Sequence, residues 1–327
     1  MRLRFTLMRT IVLLALAACG PDQREVTTGS DEPGSADSGP GGPDAGGDSE
    51  AGAVDGGAQP DAGAARDAGM EPRGLATLFV GNSYLFANDI PGMYREALSG
   101  RVRPLRVEAV TAGGYTLARH ASDLAMDGQP LATYLRTGPA ADNAFDFVVL
   151  QEQSQIGGFP EDFQERVASL AAARALGARA HQRGATVVLY LTWGRARGDP
   201  ANPALFSTFT EMQDRLDEGY RAMAAALRAD GVRVRLAPVG GAFRLVHDAL
   251  LQGGRSPLTP GDGFLELYDA DGSHPSRRGS YLAACIFAGA TTTLDGGALP
   301  DDPQLGAAVS ASLRATCGQA LSDPRWQ

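Results

Sequence analysis

The 327-residue chain contains no lysine. A Schiff-base enzyme and a Ser-Lys hydrolase both depend on a lysine amine, so both are excluded. The phosphate-cradling glycine loop that ends in Lys-Ser or Lys-Thr is excluded on the same ground. Histidine and cysteine are scarce, at four and three residues. No nearby histidines or carboxylates join Cys285 and Cys317 to complete a zinc set, and neither a metal nor a cofactor is expected. After the first 19 residues no run of about twenty apolar residues could cross a bilayer as a helix.

The chain divides by composition. Residues 1–19 have the pattern of an export signal: Arg2, Arg4 and Arg9 precede a short apolar run from Ile11 to Ala18. Leu16-Ala17-Ala18-Cys19 resembles the bacterial lipobox. That resemblance implies cleavage before Cys19 and its acylation, and more than one acyl chain gives a stable membrane anchor. Gly20 follows in place of an aspartate, which by the same resemblance points to the outer membrane, with the protein periplasmic or surface-exposed. The alternative is an ordinary secretory signal with a chance cysteine, and either reading exports the protein.

Residues 20–73 contain no Leu, Ile, Phe, Trp or Tyr. Built from Asp, Gly, Ala, Pro and Ser, this acidic segment buries too little apolar surface to offset its chain entropy and is expected to be a disordered linker. Its aspartates lack the spacing of a calcium loop. It holds eight Asp and four Glu against three Arg, so its charge equals the −9 of the whole chain. Residues 74–327 are left only slightly acidic, without the basic balance of a nucleic-acid binder. Their length suits one substantial domain.

Within that domain short apolar runs read as buried strands at 76–80, 105–110, 146–151, 185–191 and 232–239. Helical patterns lie between them. One is capped by Asp89 with Pro91 in its first turn, and two long ones end at Gly184 and Gly231. Such alternation predicts a three-layer α/β/α sandwich. Ligands of open sheets of this kind bind beyond the carboxyl ends of the strands. Residues 81–83, 111–116, 151–155 and 192–199 would all emerge on that rim.

His181 closes a long helix, and His120 and His247 sit inside helical patterns as packing or surface residues. His274 differs, since it lies in a loop with Asp271 three residues upstream. A serine hydroxyl needs a base, and the imidazole needs an acceptor on its other nitrogen. Asp271 and His274 would supply both, although a helix start capped by Ser273 or Asp271 would explain the same residues. Ser83 follows Gly81-Asn82 at a strand end, as a nucleophile or as a turn serine. Gly114 offers an unobstructed backbone N–H, and Gln151 or Gln153 a side-chain amide. Cys285 and Cys317 would lie in an oxidising compartment, where a disulfide is one outcome; spacing alone does not bring them together.

Phe79 to Asp89, Thr111 to Leu117, Phe147 to Gln155 and Asp271 to Ser276 occur in the order of the blocks of the SGNH hydrolases, also called GDSL esterases, which residues 74–290 resemble. Gly81-Asn82-Ser83 replaces the commoner Gly-Asp-Ser. The resemblance implies a mostly parallel five-stranded, flavodoxin-like sheet, with Ser83 as nucleophile, His274 as base and Asp271 as its orienter. It implies an oxyanion hole of Ser83, Gly114 and a third-block amide. The third block departs from the family's Gly-x-Asn-Asp: it reads Gln151-Glu152-Gln153-Ser154. It is closer to the block of the sialate and acetylxylan esterase branch, which favours Gln151 with Gln153 second.

The expected activity is that of a serine esterase on a small-molecule or polysaccharide ester, with O-acetylated carbohydrate one such class. Trp193, Tyr84, Tyr115 and Phe86 are candidates for a substrate rim or for packing. The alternative is a catalytically silent surface-binding lipoprotein on the same fold. Arg197-Gly198-Asp199 spells an adhesion tripeptide short enough to arise by chance. Phosphate-ester hydrolysis has no metal-ligand cluster behind it.

Overall fold

The computed structural model describes residues 74–136, 144–294 and 299–327. The export signal, Cys19 and the acidic linker lie outside the described residues. Five strands form one sheet: β1 (Leu75–Gly81), β2 (Leu105–Thr111), β3 (Phe147–Leu150), β4 (Thr186–Tyr190) and β5 (Val234–Ala237). Their spatial order is β2-β1-β3-β4-β5 and every pairing is parallel. This is the flavodoxin-like order, and its switch point lies between β1 and β3.

The described helices are α1 (Ser83–Phe86), α2 (Ile90–Leu98), α3 (Leu117–Leu124), α4 (Pro130–Tyr134), α5 (Gln164–Gln182), α6 (Phe209–Ala229), α7 (Val239–Gln252), α8 (Arg277–Thr291) and α9 (Ala307–Ser322). Alternation along the strands assigns them to layers. Phe79, Val149, Val188 and Tyr190 face a cluster with residues of α2, α7, α8 and α9. Leu78, Val80, Val148, Leu150, Val187 and Leu189 face one with residues of α3, α4, α5 and α6. Each fully buried Val or Leu contributes about 1.5–3 kcal/mol. A one-residue slip of a strand would move its whole set to the wrong layer, which pins the register.

Helix ends follow local chemistry. Asp89 accepts from Gly92 N–H at 3.0 Å and starts α2. Thr116 caps α3, Thr208 caps α6 and Ser276 caps α8. The cap of α8 is thus neither Ser273 nor Asp271, which leaves both free for other partners. Cys285 of α8 and Cys317 of α9 form a disulfide with 6.2 Å between their Cα atoms.

Candidate active site

β1 ends at Gly81 on the switch-point rim. Glycine is required there, because a Cβ would collide with the Gln151 side chain and come within 2.8 Å of Leu85 Cδ1. Asn82, 2% exposed, then turns the chain. Its Oδ1 accepts from Tyr84 N–H at 3.1 Å and caps α1, while its Nδ2 donates to the Tyr115 carbonyl at 2.8 Å. Ser83 is the first residue of α1, where a helix leaves the N–H without an intrahelical acceptor.

The second arm comes from the loop before α8, which folds into a tight turn. Asp269 N–H donates to the His274 carbonyl and Gly272 N–H to the Asp269 carbonyl, each at 2.9 Å. Tyr268 and Pro275 pair as an isolated antiparallel bridge that closes the turn.

Asp271 sits at the tip of the turn. Its Oδ1 accepts the N–H groups of Ser273 and His274, each at 2.9 Å, and its Oδ2 lies 2.5 Å from His274 Nδ1. His274 Nε2 in turn lies 2.8 Å from Ser83 Oγ. A carboxylate at Nδ1 keeps the proton on that nitrogen and leaves the Nε2 lone pair facing the serine. Burial works to raise the Asp271 carboxyl, but the bonds from the His274 ring and the two backbone N–H groups outweigh it and hold it below the usual carboxylate value.

The third block differs from expectation. Gln151 is fully buried. Its Nε2 donates to Asn82 Oδ1 at 2.9 Å and to the Glu152 carbonyl at 2.6 Å, and its Oε1 accepts from Asn82 N–H at 2.8 Å. An amide nitrogen carries two hydrogens, so Gln151 has no donor left for an oxyanion. It braces Asn82 instead. Gln153 is partly exposed. Its Nε2 donates to Ser154 Oγ at 3.2 Å, which leaves its second N–H without a partner among the described residues. Gly114 is exposed, has φ +67° and has open space where a Cβ would stand.

The other candidates fall into place by burial. Trp193 and Tyr84 are 0% and 3% exposed, so they pack beneath the site and do not form its rim. Phe86 is 46% exposed and Tyr115 is partly exposed. His120 is buried with Nε2 2.8 Å from the Gly81 carbonyl, and burial lowers its pKa. His247 pairs with Asp248 at 2.7 Å, and His181 lies in the last turn of α5. Asp199 is 1% exposed and bonded to Arg195 at 2.5 Å, so the adhesion-like tripeptide presents no free acid. A concavity beside the Gly114 turn is lined by Val110, Ala112, Tyr115, His120 and Leu131, among others, and includes neither Ser83 nor His274. Among the described residues no group of three or more His, Cys, Asp or Glu could hold a metal ion.

Sequence reasoning missed the bracing role of Asn82. The signal for Asn82 was its place before a helix, where asparagine is a favoured cap.

No protein-family model matches the chain, and no curated protein does. Solved structures do. A candidate SGNH hydrolase from Slackia heliotrinireducens is 29% identical, with 67% of this chain and 100% of that one covered and a TM-score of 0.51. A DUF4886 family protein from Bacteroides uniformis is 16% identical, with 77% and 96% covered and a TM-score of 0.56. The chain has an SGNH-hydrolase fold.

Proposed function

We propose that the protein is a serine esterase that hydrolyses carboxylic esters. The observation that carries this is the continuous relay from Asp271 through His274 to Ser83, with contacts of 2.5 and 2.8 Å. Ser83 Oγ attacks the ester carbonyl as His274 Nε2 takes its proton. The oxyanion is held by the N–H groups of Ser83 and Gly114 and by the second side-chain N–H of Gln153. His274 returns the proton to the departing alcohol. A water then attacks the acyl-enzyme with His274 as base, releasing the acid and restoring Ser83. Asp271 stays ionised and stabilises the imidazolium.

O-acetyl groups on carbohydrate are the substrate class that the third-block resemblance favours. The anchor at Cys19 and the acidic linker belong to the same proposal, with the domain held outside the cytoplasm. Loss of the protein from the membrane fraction in Cys19→Ala would support the anchor, and unchanged fractionation would remove it. A silent binding protein would have no need of the relay.

The test is hydrolysis of p-nitrophenyl acetate and a longer acyl ester by the parent, Ser83→Ala and His274→Ala. Loss in both variants supports the acyl-enzyme route. Parent-like activity in Ser83→Ala rules out this site.

A further inference from the structure

Glu152 is a fully buried carboxyl that the proposed chemistry does not use. Glutamate is seldom buried without a paired charge. Its Oε1 accepts the N–H of Gln153 at 2.7 Å and the N–H of Leu117 at 3.1 Å. Gln153 carries the proposed amide donor. Leu117 opens α3, directly after the turn that holds Gly114. One oxygen atom therefore joins both outer arms of the proposed oxyanion hole.

The rest of the carboxyl has no comparable role. Oε2 has no hydrogen-bond partner among the described residues. The Ser169 hydroxyl stands beside the carboxyl and favours its anion. Arg166 directs Nη2 to the Gly219 carbonyl at 2.5 Å. Burial pushes the Glu152 carboxyl up, against weaker pulls from Ser169, the two backbone N–H groups and Arg166. The group serves as an acceptor and makes no hydrogen-bonded ion pair.

We infer that Glu152 is a positioning residue that sets the spacing between the Gly114 turn and the Gln153 amide through its shared Oε1. This rests on the esterase reading above. A donor displaced by about 1 Å costs roughly 100-fold in rate, and loss of one oxyanion donor about 10²–10³-fold.

The experiment compares Glu152→Gln and Glu152→Leu in the full chain, by steady-state hydrolysis of p-nitrophenyl acetate and by the amide resonances of Leu117 and Gln153. Glu152→Gln keeps an oxygen acceptor and is expected to hold kcat within about threefold. Glu152→Leu is expected to lower kcat about 10–100-fold with KM little changed, and to shift both amide resonances. Parent-like kcat in Glu152→Leu, or equal losses in the two variants, would overturn the inference. If Glu152→Leu does not fold, Glu152→Gln decides: a loss of kcat of about tenfold or more with both resonances unmoved overturns it. An inactive parent would sink the esterase reading first, before any Glu152 variant is compared.

Discussion

The Tyr84 hydroxyl lies 2.6 Å from Ser273 Oγ, joining the residue after the proposed nucleophile to the residue before the proposed base. Trp193 Nε1 donates to the Ser273 carbonyl at 3.0 Å. The Tyr84 ring stacks on Trp193 at 4.7 Å and meets His274 edge-on at 5.4 Å. Trp193 stacks in turn on Phe243 at 4.5 Å. The two arms of the site thus meet over an aromatic stack. Tyr84→Phe is expected to cost about 1 kcal/mol, the value of one neutral hydrogen bond. Trp193→Ala is expected to cost about 3–5 kcal/mol and to lower kcat more than it raises KM. Denaturant titration with steady-state kinetics checks both.

Asp271→Asn removes the acceptor that fixes the His274 tautomer. The expected loss is about 10²–10⁴-fold in kcat near neutral pH. The lowered Asp271 pKa adds stability that is present above the unfolded value of about 4 and is lost as pH falls through the lower folded value. The stability gap between parent and Asp271→Asn should therefore close in acid, as read by thermal melts across pH.

Asn82→Ala removes a helix cap and the tie to Tyr115 together. A cost of about 1 kcal/mol is expected from the cap. A fall in kcat should accompany it, because Gln151 Nε2 loses one of its two acceptors and the turn that carries Ser83 loosens. Parent-like kinetics would show that the turn holds without the asparagine.

Asp217 of α6 gives the stability profile a second feature. Burial raises its pKa to about 6, against pulls from Gln213 and Arg244. A raised carboxyl stabilises the fold below its unfolded value of about 4, and the contribution disappears as pH climbs through about 6. The parent should lose on the order of 3 kcal/mol across that window, a loss absent from Asp217→Asn. Denaturant midpoints at about pH 4, 5, 6 and 7 measure it.

Much of the fold was legible because apolar runs bounded by glycine and capping residues are local signals. Each of the five expected strands has ends within two residues of an observed one, and Asp89, Gly184 and Gly231 mark helix ends as expected. The candidates Ser83, Asp271 and His274 could be picked by residue type and block order, and the fold brings them within hydrogen-bond reach. Gln151 was misjudged. It and Gln153 are both strand-end amides in sequence, and only the burial of Gln151 against Asn82 shows that its donors are spent.

The layers, the strand-end loops and the residue types suited to acyl transfer are readable locally, because periodicity and turn chemistry act over a few residues. Long-range packing set which amide keeps an unpartnered N–H among the described residues, the place of Tyr84 and Trp193 under the site, and the Glu152 bridge between two loops. Those facts depend on which side chains meet across long stretches of chain, and hydrogen-bond capacity is consumed by whichever partner the fold brings within reach.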